Sequence, residues 1–321
     1  MEWRIIKGWI MGPTDRITGL PRGVRLGCSP LSWTNDVLED LGDDTPLDRC
    51  LSEIAAAGYE GTELGRKYPR NAEDLAPMLA AHDLSLASGW YSGRLAERSV
   101  EKEIEDVASH AQLLRAMSCK VMVYGECGAM TPSPAPLDEP MSRRMVLTRD
   151  AMRAYAMRLS AFDAWLRTRY GIRLAYHHHL MMVAENFQEI CQIFDALSSD
   201  VGLLLDTGHA MAAGFDYQRL IDRYGDRICH IHLKDVRPAI LERVRGQDMS
   251  FNAAVRAGMF TVPGDGCIDF TPLAGFVRQS GYQGWMVVEA EQDPVMAPPL
   301  AAVKRGRDVI EACFTHALTT V

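Results

Sequence analysis

The chain of 321 residues lacks any apolar stretch approaching the length of a membrane span, and its first residues, MEWRIIKGWIMGPTDR, are too interrupted by charge to form a signal-peptide core. Both absences lead to the expectation of a cytoplasmic protein. No CxxC pair occurs either. The eight cysteines are scattered singly, and Cys28, Cys119 and Cys229 sit in or beside apolar strand-like runs where a reduced thiol packs as a small hydrophobe. Structural disulfides and zinc knuckles are therefore not expected. Lysine and arginine form no basic run, and a formal net charge of -8 argues against nucleic acid or an anionic membrane surface as partner. A small neutral ligand remains, with a homo-oligomer open. What is present is a composition 47% hydrophobic and 24% charged, which suits a large buried core.

Eight strand-like runs recur with amphipathic stretches between them. They are 24–28, 61–64, 85–89, 120–124, 172–177, 202–206, 227–232 and 285–289. The intervening segments 46–57, 72–81, 100–117, 142–168, 187–197 and 217–224 repeat apolar residues at three and four, the helical spacing. This alternation, with no GxGxxG after the first strand, predicts a closed α/β barrel of the (β/α)8 type and not a dinucleotide-binding sheet. Residues 1–22 contribute no core strand and read as a flexible arm or an early start codon; 23–321 read as one barrel domain. Two irregular stretches follow strands: the Pro-rich 129–140, and 236–270, which holds a helical piece at 240–257. Both are expected over the mouth of the barrel.

Four consecutive strands end on metal-ligand residue types. LAYHHH runs into His177, His178 and His179; LLLDTGH ends on Asp206 and His209; ICHIHLKD carries His230 and His232; WMVVEAEQ stops on Glu289. Parallel strands present their C-terminal ends at one face, so these groups converge. Asp206 alone would serve equally as a helix N-cap; its company favours a metal ligand. His230 and His232 share one strand face, and His232, nearer the end, is assigned to the metal with His230 a layer below. A carboxylate closing an apolar strand is costly unless a cation compensates it, which assigns Glu289 to the metal and leaves Glu291 for substrate or support. By strand parity 177 and 179 share a face opposite to 178. His177 is read as the fourth ligand and His179 as a substrate or proton-transfer group, roles the two could exchange.

Other groups reach for the same cavity. Glu63 in GTELG and Glu126 in VYGECG end strands; Lys234, Asp235 and Arg237 extend past one; Trp90 suits a wall against the apolar face of a sugar-like ring. A His, Asp, His, Glu set without cysteine suits Mn²⁺, Co²⁺, Fe²⁺, Zn²⁺ or Mg²⁺. Such an ion can chelate a carbonyl and an adjacent hydroxyl and acidify the neighbouring C–H.

CSPLSWTNDVLEDLG, CLSEIAAAGYEGTELGRKYPR, LAYHHH, LLLDTGHAMAAG, HIHLKDVR, FTVPGDGCIDF and GYQGWMVVEAEQDP together resemble the inosose dehydratase family, within the xylose isomerase-like (β/α)8 superfamily. The resemblance runs from about Gly27 to about Pro294. It implies loss of water from 2-keto-myo-inositol to give a trihydroxycyclohexane-1,2-dione in myo-inositol catabolism, helped by Mn²⁺ or Co²⁺. It implies Asp206, His232 and Glu289 as ligands and Arg237 as a substrate contact; His209, at the same strand end as Asp206, is read as a further substrate contact. The superfamily's first ligand is a glutamate where this chain has His177, which leaves open whether His177, His179 or a water completes the shell. Candidate acids and bases are His179, Lys234, Glu63 and Glu126. The rival readings are a ketose or keto-inositol isomerase or epimerase, a silent sugar-binding member of the fold, and, remotely, a DNA-repair nuclease.

Overall fold

The computed structural model describes residues 17 and 19–316. Of the expected arm, residues 1–16 and 18 lie outside that set, whereas Ile17 and Leu20 are buried in the main core. Ten strands follow in chain order: β1 (Val24–Cys28), β2 (Gly61–Leu64), β3 (Ser85–Gly93), β4 (Val121–Glu126), β5 (Arg173–His177), β6 (Gly202–Asp206), β7 (Ile228–Leu233), β8 (Asp235–Val236), β9 (Phe260–Thr261) and β10 (Gly284–Val288). All but β8 and β9 pair in parallel, each with its neighbour in sequence, and β10 pairs with both β7 and β1 to close a barrel. The helices are α1 (Leu47–Ala56), α2 (Ala72–Ala80), α3 (Val100–Ala116), α4 (Arg149–Tyr170), α5 (Phe187–Phe194), α6 (Thr207–Ala212), α7 (Gln218–Tyr224), α8 (Pro238–Gly246), α9 (Phe251–Arg256), α10 (Thr271–Gln279) and α11 (Pro299–His316). Among the described residues no helix is long and apolar enough to cross a membrane.

Local chemistry sets these boundaries. Asn71, Ser99, Thr148 and Asn186 each accept a backbone N–H at the start of α2, α3, α4 and α5, satisfying donors that a helix end leaves free. The cap at Thr148 explains why the helix expected from 142 begins at 149: the preceding residues form a short 3-10 turn, Met141–Arg143. Gly171 ends α4 at φ 68°, a left-handed conformation that costs glycine little.

Strand alternation divides the apolar side chains. Val121, Val123, Ala175, Leu204 and Cys229 form a small cluster separate from the main core, while Met122, Tyr124 and Tyr176, on the other strand faces, join the main core under the helices. Above the mouth sits a second core, built from Leu180, Met181, Val236, Leu241, Phe251 and Phe260 among others. Here the structure corrects one expectation. The helical piece at 240–257 is two helices, α8 and α9, separated at Asp248, whose φ of 48° no helix accommodates, and restarted by Ser250 as cap. An antiparallel β8–β9 pair ties the base of this segment. Its tip is joined to the Pro-rich stretch: Met141 N donates to Met249 O (3.3 Å), Ser142 Oγ to Asp248 Oδ2 (2.6 Å) and Asn252 Nδ2 to Asp138 Oδ1 (2.8 Å). The two irregular stretches thus form one packed cover.

Candidate metal centre and active site

Inside the barrel, Glu63 at the end of β2 meets two histidines of β7. Its Oε1 lies 2.8 Å from His230 Nε2 and 3.2 Å from His232 Nε2. Burial opposes the charge on Glu63, but the imidazoles of His232 and His230 outweigh it and hold the carboxyl below the usual carboxylate range. Glu63 is thereby committed to positioning His232, whose Nε2 it engages, leaving Nδ1 to face the other strand ends.

The register brings those ends together. Asp206 pairs directly with His232, Val287 pairs with His232 from the other side, and His177 pairs with Leu204, two residues before Asp206. As a result one ligand atom from each of His177, Asp206, His232 and Glu289 falls within 4.8 Å of the others. Asp206 Oδ2 lies 3.5 Å from His177 Nε2 and 3.6 Å from His232 Nδ1, and His232 Nδ1 lies 3.4 Å from Glu289 Oε2. Ligands at roughly 2.1 Å from a tetrahedral ion stand about 3.4 Å apart, so these separations suit one divalent ion. Asp206 Oδ2 and His232 Nδ1 are buried and have no hydrogen-bond partner. A buried polar atom left so costs about 1–3 kcal/mol, which a cation would relieve. Asp206 also fills its bland role, because its Oδ1 accepts the His209 N–H at the start of α6 (2.7 Å).

A cavity opens onto this group and is lined by His177, His179, His232, Glu63, Glu289 and Glu291 on its polar side. Trp90 forms a wall, edge-on to the rings of His177 (5.4 Å) and His179 (6.1 Å). His179 Nδ1 donates to Leu180 O at 2.6 Å, because a carbonyl oxygen can only accept, and so its Nε2 carries the lone pair. Burial pushes His177, His179 and His209 below the ordinary imidazole value, keeping these rings neutral. His232 goes the other way: burial opposes its charge, and the Glu289 and Glu63 carboxylates overcome that. Glu291 is raised by burial in spite of the ammonium of Lys234 beside it.

The strand parity of the histidine run is visible here. His177 and His179 line the cavity, whereas His178 faces away, accepts the Asp206 N–H at 3.3 Å and packs on Phe215. Lys234 and His209 lie behind the wall and contact each other at 3.1 Å.

Besides Lys234 and His209, three more expected cavity groups are placed elsewhere. Glu126 does not reach the cavity: it follows the parity of Met122 and Tyr124 toward the helices, where it accepts from Tyr124 Oη, Ala96 N and Gly128 N. Arg237 donates to Gly258 O, Thr261 Oγ1 and Asp265 Oδ2, within the cover. Asp235 accepts backbone N–H groups from Gly264, Gly266, Cys267 and Ile268, and so shapes the VPGDGCIDF turn. Conversely, Asn35, Asp36, Cys127, Leu137, Met182 and Phe251 line the cavity without having been singled out. Asn35 and Asp36 follow the end of β1, a position that marks them in a barrel; Leu137 and Phe251 come from the cover, whose docking no local pattern shows, and Met182 from the loop after β5.

Residues 51–313 match the model of the xylose isomerase-like TIM barrel family. The chain belongs to that family. It is 41% identical over 285 residues to the rhizopine catabolism protein MocC of Rhizobium meliloti, covering 89% of this chain and 87% of that one. It is 38% identical over 293 residues to the inosose dehydratase of Geobacillus thermodenitrificans, covering 90% and 97%. Among solved structures, the IOLI protein with a binding zinc atom superposes with a TM-score of 0.61 at 16% identity over 91% of this chain and 98% of that one, a likeness of fold.

Proposed function

We propose that this protein is a metal-dependent inosose dehydratase that removes water from 2-keto-myo-inositol to give a trihydroxycyclohexane-1,2-dione. The observation that carries the metal is the buried pair Asp206 Oδ2 and His232 Nδ1, neither with a hydrogen-bond partner, facing Glu289 and His177. The inosose dehydratases at 36–38% identity over about nine-tenths of the chain support the reaction. His177, Asp206, His232 and Glu289 would hold Mn²⁺ or Co²⁺, which when bound polarises the ketone and acidifies the neighbouring C–H.

The chain's own groups supply the rest. His179 Nε2, a neutral lone pair at the cavity wall, takes the proton from the carbon beside the ketone. Glu291, whose carboxyl burial keeps above its ordinary value, returns a proton to the departing hydroxyl, so that the C–H and C–O bonds break and water leaves. Trp90 offers the ring an apolar face. Glu63 fixes His232 in place; Lys234 acts from behind the wall. A cytoplasmic enzyme without nucleic-acid or membrane partners fits the acidic charge.

The test is incubation of Mn²⁺-loaded protein with 2-keto-myo-inositol, followed by ultraviolet absorbance of the enolised dione and by mass. Loss of one water supports the reading. Conversion to an isomer of unchanged mass assigns the site to epimerisation and overturns it.

A further inference from the structure

Beside the four-residue group lies a second one. Ligand atoms of His179, His209 and Glu291 also fall within 4.8 Å of one another, all three side chains buried. A cation already touches two of its three members, His209 and Glu291. The ammonium of Lys234, 1% exposed, lies 3.1 Å from His209 Nε2, 3.1 Å from Glu291 Oε2 and 2.5 Å from Glu289 Oε1. An ammonium has donors only, and of the two donors facing His209, Lys234 Nζ at Nε2 (3.1 Å) and Leu180 N at Nδ1 (3.4 Å), the closer one takes the ring's single lone pair, the one a metal would use.

Glu289 joins the two positions. Its Oε2 stands 3.4 Å from His232 Nδ1, in the first group, while its Oε1 holds Lys234. Carboxylates that divide their oxygens in this way are what bridges the ions of two-metal sites, which lie about 3.5–4 Å apart. The lysine is guided to its place and does not merely reach it. Thr207 Oγ1 donates to Lys234 O (2.7 Å) and accepts from Lys234 N (3.1 Å). A Cβ at residue 208 would stand 2.5 Å from Lys234 Cγ, so glycine there makes the slot for the stem.

We propose that Lys234 fills the second cation position of an otherwise two-metal arrangement, so that the barrel mouth holds one divalent ion beside a fixed ammonium. This rests on the metal-centre reading above but not on the reaction assigned to it.

The test is metal stoichiometry, read by elemental analysis of the full chain after loading with excess Mn²⁺ and gel filtration, with the electron paramagnetic resonance spectrum as second readout. Wild type is expected to retain one ion per chain with an uncoupled Mn²⁺ signal. Lys234→Met, which keeps the stem and removes the charge, is expected to retain two, with an exchange-coupled signal. Lys234→Met combined with Glu291→Gln is expected to return to one. A wild type that retains two ions overturns the proposal whether or not the variants fold, as does a folded Lys234→Met that retains one. A wild type that retains none overturns the metal-centre reading and this proposal with it.

Discussion

Glu63 shares one carboxylate between two histidines, and only one of them, His232, also belongs to the four-residue group with His177, Asp206 and Glu289. Its effect on the site is therefore indirect. Glu63→Gln is expected to weaken Mn²⁺ binding by about 10–100-fold, the usual loss when a carboxylate behind a histidine ligand is removed. A direct Mn²⁺ titration checks this, and unchanged affinity would contradict the role. The histidine run makes a second claim at this scale. His179→Gln is expected to lower turnover by roughly two orders of magnitude while the metal stays bound. His178→Gln is expected to keep turnover and lower the melting temperature, because it disturbs the bond from Asp206 N and the packing on Phe215. Turnover assays, metal analysis and thermal melts separate the two; the reverse pattern would show the register through LAYHHH to be off by one. Parity was enough to place these three side chains from sequence. The same rule, applied to β4, would have turned Glu126 away from the cavity, since Val123 lines it and Glu126 lies at odd spacing from Val123.

Among elements, the cover and the loop anchored by Glu126 were the least legible. Most strands could be read because each is a short apolar run stopped by a turn, and their bounds shifted by only a residue or two; β3 ran on through Gly93. The cover could not, because its defining bonds join residues 106 and 114 apart in sequence. Asn252→Ala removes the amide that ties α9 to Asp138 and is expected to make opening of the cover easier by about 1–3 kcal/mol. Limited proteolysis near residues 129–147 should then run about fivefold faster or more; an unchanged rate contradicts the packed cover. Glu126 carries a pH signature of its own. Burial pushes its carboxyl up to about 7, against the hydrogen bonds from Tyr124, Gly128 and Ala96 and the nearby Tyr155 hydroxyl of α4. The folded protein thus holds a proton that the unfolded chain releases near pH 4.5, so this contribution to stability is complete below that pH and is lost as pH rises through 7. It amounts to about 3 kcal/mol at most. Urea midpoints of the wild type are expected to fall more steeply between pH 5 and 8 than those of Glu126→Gln, and parallel curves would contradict this.

For the whole molecule, eightfold repetition of strand and helix made the barrel readable, and its geometry converts four separate strand ends into one site. The central claim is that His177, Asp206, His232 and Glu289 hold a divalent ion. Anomalous X-ray diffraction from crystals of Mn²⁺-loaded protein tests it directly. A single strong peak is expected, bounded by His177 Nε2, Asp206 Oδ2, His232 Nδ1 and Glu289 Oε2. A loaded, active protein whose peak lies outside that group, or which shows none, would contradict it.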